Sequence, residues 1–179
     1  MNCNQIKNVR IAVGYLTVAV ALTMAGTLSL GQLSSASSIS AVRIGSDKRV
    51  HITSSDGKEF IAPEEKGQVN VTSLKIAGDK VTAGWLVLER PDCCVNYPIA
   101  LTVITYRNRR IMQHIRGEPL IWDWCFIGTG DQVAISIGPQ HGENGLHFEL
   151  HDARSGRLLA QSDIHSNGKQ PPWTSGLKQ

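Results

Sequence analysis

Charge is scarce where this chain begins. Lys7 and Arg10 are the only charged side chains before residue 43, and no acid accompanies them. The 179-residue chain has a formal charge of +3, so leaving out those two bases brings the rest to +1. A nearly neutral domain has no long-range field to draw in phosphate backbones, which excludes nucleic acid as the expected partner. Chemical signatures are missing as well: there is no nucleophile elbow, no phosphate-cradling glycine loop and no dinucleotide fingerprint. Helical periodicity is absent beyond the first 40 residues. Cysteine is limited to Cys3, Cys93, Cys94 and Cys125. The length suits one ordinary domain and not two large ones.

What the first 40 residues do have is an apolar run. Ile11 to Leu33 carries no charge and is rich in Ala, Val, Leu and Thr. A positive start followed by such a run reads as an export signal. Ser34-Ser35-Ala36 best fits small-x-small cleavage. The rival reading is an uncleaved anchor, because about 20 apolar residues span a bilayer; a buried core helix is a third. The positive flank stays inside, so residues beyond 40 are expected outside the cytoplasm. That makes a periplasmic or secreted domain, tied to the inner membrane by residues 11–33 if the segment is kept. The expected organisation is residues 1–40 as signal peptide or membrane anchor, 41–162 as an all-β domain, and 163–179 as a flexible tail containing Pro171-Pro172. Disulfides persist outside the cytoplasm. The expected bridge joins Cys125 to Cys93 or Cys94, closing a loop of about 31 residues worth roughly 3–4 kcal/mol. A Cys93–Cys94 bridge is the alternative.

From residue 42 onward, short runs rich in Val, Ile, Thr and aromatics recur between clusters of Gly, Asp, Asn and Pro. Arg49–Thr53 and Lys58–Ala62 flank Asp56-Gly57, a strong hairpin signal. Val69–Ala77 pairs with Val81–Glu89, Ile99–Tyr106 with Arg110–Arg116, Leu120–Ile127 with Gln132–Gly138, and Gly145–Asp152 with Arg157–Gln161. This predicts about ten strands in an antiparallel meander, behind an N-terminal hydrophobic helix. The pattern repeats at about 50 residues as two four-stranded units, 69–116 and 120–161, after a leading hairpin. Each unit carries its long loop between its second and third strands. Such repeats mark propeller blades.

Residues 120–161 resemble one blade of a WD-repeat-type β-propeller, through Leu146-His147-Phe148-Glu149-Leu150-His151-Asp152 followed by Ser155-Gly156-Arg157. His151 stands where that family usually carries Trp, and the Gly-His opening is missing. Two blades and a hairpin also fall short of a closed ring. Residues 68–161 are similar to a group of short uncharacterised exported bacterial proteins, through Gly84-Trp85-Leu86-Val87, Asp92-Cys93-Cys94-Val95-Asn96-Tyr97-Pro98 and Trp122-Asp123-Trp124. That resemblance implies no activity.

Several side chains are candidates for chemistry. His147, Glu149 and His151 alternate, so they share one face of a strand. Two imidazoles and a carboxylate, completed by His141 and Glu143, could hold zinc. Against this, Leu146, Phe148 and Leu150 would take the core side and leave the other three facing water, so no metal or other cofactor is expected. Cys93 or Cys94 with His141 and Asp123 could form a thiol nucleophile, base and orienter, although a structural bridge is the commoner use of such cysteines. Trp122, Trp124 and Phe126 fall on one strand face and Asp123 with Cys125 on the other. A buried Asp123 needs hydrogen-bond donors; it either ties down the fold or contacts a ligand. Arg107, Arg109 and Arg110 crowd one hairpin tip, which is either a solvated turn or a contact for lipid headgroups or an acidic partner.

Two functions fit these features. The first is a non-catalytic binding or interaction domain of the cell envelope, with an envelope protein or small ligand as partner. The second is an envelope hydrolase or metal-dependent enzyme using the His141–His151 region. A pocket gathering Asp123, His141, Glu143 and His147 would favour the second.

Overall fold

The computed structural model describes residues 37–90, 97–139, 145–163 and 170–177. The N-terminal hydrophobic helix expected from the sequence falls outside them. The described chain is all-β, with eleven strands in three antiparallel sheets and no α-helix among the described residues. Strands β1 (Ile39–Ile44), β2 (Val50–Ser54) and β3 (Glu59–Ile61) form the first sheet. The second is the meander β4 (Gln68–Ile76), β5 (Thr82–Glu89), β6 (Ile99–Arg107) and β7 (Arg110–Arg116). The third is the meander β8 (Ile121–Ile127), β9 (Gln132–Ile137), β10 (His147–Asp152) and β11 (Leu158–Asp163). Both four-stranded units thus fall where the repeat predicts them.

The leading hairpin gains a strand. β1 pairs with β2 from Ile39 to Ile44, and its first two residues lie in the stretch assigned to the leader. Only Ile39 of β1 is buried, so the segment lacks the apolar alternation by which strands are recognised. Its place comes from β2 and from the neighbouring sheet, whose Lys80 carbonyl accepts the Ile39 N–H at 2.6 Å.

The second sheet is the middle layer. Trp85, Val87, Ile104 and Tyr106 pack on Val50, Ile52 and Ala62 of the first sheet and its flank. On the opposite face Leu86, Val103 and Ile115 pack on Ile121, Trp124, Val133, Ile135 and Ile137 of the third. Being covered on both sides, β5 is buried continuously from Thr82 to Val87, as a strand inside stacked sheets must be. The far face of the third sheet carries Cys125, Ala134, Phe148 and Leu150.

That far face is covered by the tail. Pro172–Thr174 forms a 3₁₀ turn, and Trp173 and Leu177 pack against the Cys125–Phe148 cluster. Of the segment 163–179, expected from the sequence to be a flexible tail, residues 164–169 and 178–179 lie outside the described residues. Residues 170–177 rest on the sheet through packing, because an apolar sheet face at the end of a stack needs a cover and Trp173 and Leu177 supply it.

Hydrogen bonds between turns orient the sheets. Asp79 N–H donates to Thr129 O at 2.9 Å, and Ala153 N–H to Asp131 O at 2.8 Å. The β4–β5, β8–β9 and β10–β11 turns therefore meet at one end. Strand direction then puts the connections 62–67 and 117–120 at the other, the loop end, together with the last residues of β5 and β9 and the first of β6 and β10.

Candidate functional site

At the loop end, a groove of about 250 Å³ opens between the β3–β4 connection and the second sheet. Its residues come from four elements. Val87 and Glu89 lie two apart on β5, Thr102 pairs with Val87 across β6, and Arg116 pairs with Thr102 across β7. Alternation thus aims all four at one face, and His114 on β7 extends the row. Glu65 and Lys66 close it from the β3–β4 connection.

The groove is polar over a buried Val87 floor. Thr102 Oγ1 donates to Glu89 Oε1 at 2.9 Å. Arg116 Nη1 lies 3.4 Å from Glu89 Oε2, and its Nε donates to Glu118 Oε1 at 3.2 Å. The Glu118 carboxylate, followed by Glu89, raises the guanidinium above its ordinary value. His114 Nε2 meets Glu65 Oε1 at 3.0 Å. Charges of both signs therefore line one wall-to-wall row. No motif in the sequence marks these residues. The available signals were His114-x-Arg116 at strand spacing and a glutamate ending the otherwise apolar β5.

The residues singled out from sequence are dispersed. Asp123 is 8% exposed and lies beside Lys75 of β4, whose Nζ donates to Asp123 Oδ1 at 3.2 Å and also reaches the Trp124 carbonyl. The ammonium stands 5.1 Å from the Trp124 ring centroid, within cation–π range. A bulge between Thr72 and Lys75 presents this side chain to β8. Asp123 thus joins two sheets. A second bulge, between Ile121 and Asp123, breaks the expected alternation. Trp124 and Phe126 are buried together, edge to face at 5.1 Å, whereas Trp122 is 47% exposed.

His147, Glu149 and His151 do share a face, along which the side chains go from 33% through 20% to 10% exposed. They stand opposite Ile137, Ile135 and Val133, on the side that packs toward the second sheet. Phe148 and Leu150 go to the tail-covered cluster, while the other face of β10 is only partly covered. Glu149 joins the two imidazoles, with Oε2 2.8 Å from His151 Nε2 and Oε1 3.3 Å from His147 Nε2. His151 Nδ1 donates to Gly156 O at 3.0 Å, and His147 Nδ1 meets Asp163 Oδ1 at 2.6 Å. Among the described residues no three His, Cys, Asp or Glu side chains are arranged to hold a metal ion. His141, Glu143, Cys93 and Cys94 lie outside the described residues. Cys125 is buried on the third sheet's far face, beside Phe148 and Leu150.

Comparison with known proteins finds no family model that matches this chain, and no match among curated proteins.

Proposed function

We propose that this chain is an exported envelope protein whose all-β domain binds a small ligand without transforming it. The groove at the loop end carries the reading. Its row of Glu89, Thr102, Arg116, Glu65 and His114 sets anions, a cation and a hydroxyl over an apolar floor. That chemistry suits a small ligand bearing both an ammonium and a carboxylate, which would exchange partners with the Glu89–Arg116 pair. The charge-then-apolar leader supports export. Meanders of four strands, stacked face to face with their turns aligned, support reading the sheets as units similar to WD-repeat-type blades.

A thermal-shift and calorimetric screen of the purified chain with amino acids and short peptides tests the ligand. We expect a binder whose affinity falls at least tenfold in Glu89→Gln and in Arg116→Met. A panel with no binder, or binding untouched by both substitutions, rejects the groove. Fusion of residues 1–45 to a reporter active only outside the cytoplasm tests export independently.

The second reading is a hydrolase centred on His147, favoured by the 2.6 Å contact that orients its imidazole against Asp163. Turnover of chromogenic esters that is lost in His147→Gln would replace the binding reading.

A further inference from the structure

The end opposite the groove carries the chain's other unexplained feature. The turns there bear Lys58, Lys80, Arg109, Arg110, Arg154 and Arg157, all exposed. The carboxylates of this end are already engaged. Asp56 pairs with Lys58 at 3.2 Å, Asp79 with Arg107 at 3.3 Å, and Asp131 with Arg154 at 3.2 Å. Asp152 accepts the backbone N–H groups of Arg154 and Ser155. Arg109 and Arg157 add to the charge field that favours ionised Asp56 and Asp152, but with Lys80 and Arg110 they make no direct ion pair among the described residues, so the basic residues of this end outnumber its acids. The loop end has no such excess, since Asp47, Glu64, Glu65, Glu89, Glu118 and Asp163 offset its cations.

The chain also enters the domain at this end. Ser55 N–H donates to Ser38 O at 2.7 Å and Ile39 N–H to Lys80 O at 2.6 Å, so Ser38 lies between two of the cationic turns. Only Ser34 to Ser38 separate them from the uncharged run that ends at Leu33. Five residues reach at most roughly 17 Å even when fully extended. The headgroup layer occupies about 5–7 Å on each side of the hydrocarbon.

We propose that the turn end is a docking surface for the anionic phospholipid headgroups of a bilayer in which residues 11–33 would serve as the anchor. The proposal rests on reading that segment as an uncleaved anchor. A short tether and a net positive face act together: the tether keeps the turns near the surface, and each basic residue within a Debye length gains roughly fivefold in residence there. Strands of six to nine residues lift the loop end by about 20–30 Å, so the groove opens away from the membrane.

Lysine footprinting on the full chain in vesicles tests this. The chain is reconstituted in phosphatidylcholine alone or mixed with phosphatidylglycerol, acetylated with a water-soluble reagent and mapped by mass spectrometry. Lys58 and Lys80 should label several-fold more slowly in the anionic vesicles, and high salt should abolish the difference. Lys48 and Lys66, at the loop end, serve as internal controls and should not change. Arg109→Glu with Arg110→Glu and Arg157→Glu, all at exposed positions, should remove the protection. Equal labelling in both lipids, or protection of Lys48 and Lys66 instead, overturns the docking surface while the anchor stands. A chain that fails to float with either vesicle removes the anchor, and the proposal with it.

Discussion

Trp124 fills the space that a side chain at Gly84 would need. A β-carbon on Gly84 would lie 2.8 Å from Trp124 Cη2 and 2.7 Å from the Ile104 carbonyl oxygen. Trp124 is held there by its indole N–H, which donates to Ser73 O at 3.1 Å. This residue pair locks the second and third sheets face to face. It also links two of the short stretches, Gly84-Trp85 and Trp122-Asp123-Trp124, that are 40 residues apart along the chain.

Gly84→Ala should therefore destabilise the domain by about 1–3 kcal/mol, the usual cost of overpacking. One of the blocking atoms is backbone and cannot rotate away. Urea unfolding monitored by tryptophan fluorescence measures the change. Unaltered stability would mean the sheets slide apart freely.

Lys75 and Asp123 form another link between those sheets, with side chains 33% and 11% exposed. Losing one partner leaves the other charge poorly solvated, so Lys75→Met and Asp123→Asn should each cost about 1–3 kcal/mol. The double variant should lose less than the sum, as coupled residues do. Strict additivity in a double-mutant cycle would show that the pair is not energetically joined.

The tail should behave as part of the core. Leu177 is 6% exposed and Thr174 1%, and Leu177→Ala should cost about 2–4 kcal/mol, as at other buried leucines. Removal of residues 170–179 should expose the face around Phe148 and raise binding of a hydrophobic dye. A truncated chain with unchanged stability and no dye binding would contradict the packing.

Asp152 supplies a pH test. Its Oδ1 accepts the Ser155 N–H at 2.7 Å, the Ser155 hydroxyl at 2.8 Å and the Arg154 N–H at 3.0 Å. Those bonds, the Ser155 backbone first, hold its carboxyl below the ordinary aspartate value. A lowered folded-state value means the charged form is favoured by folding. The stabilisation is complete above the ordinary aspartate value and is lost as pH falls through the lowered one. Asp152→Ala should thus melt below the parent at pH 7, with the gap narrowing below about pH 4. A gap independent of pH would place the loss in packing instead.

Alternation and turn chemistry, by themselves, determined the all-β class, both four-stranded units and nearly every hairpin. Asp56-Gly57 and Gly128-Thr129-Gly130-Asp131 specify local backbone bends, and period-2 runs specify extended chain. Both are properties of a few adjacent residues. What tertiary structure alone decided was which side of a strand meets which neighbour. The bulge at Ile121/Asp123 turned Trp122 out while keeping Trp124 in. The tail's cover over Phe148 and Leu150 left His147, Glu149 and His151 on an inward face. The groove needed side chains from β5, β6, β7 and the β3–β4 connection, brought together by strand pairing between residues far apart in sequence. Register and stacking depend on contacts summed over whole sheets, so no local pattern carries them.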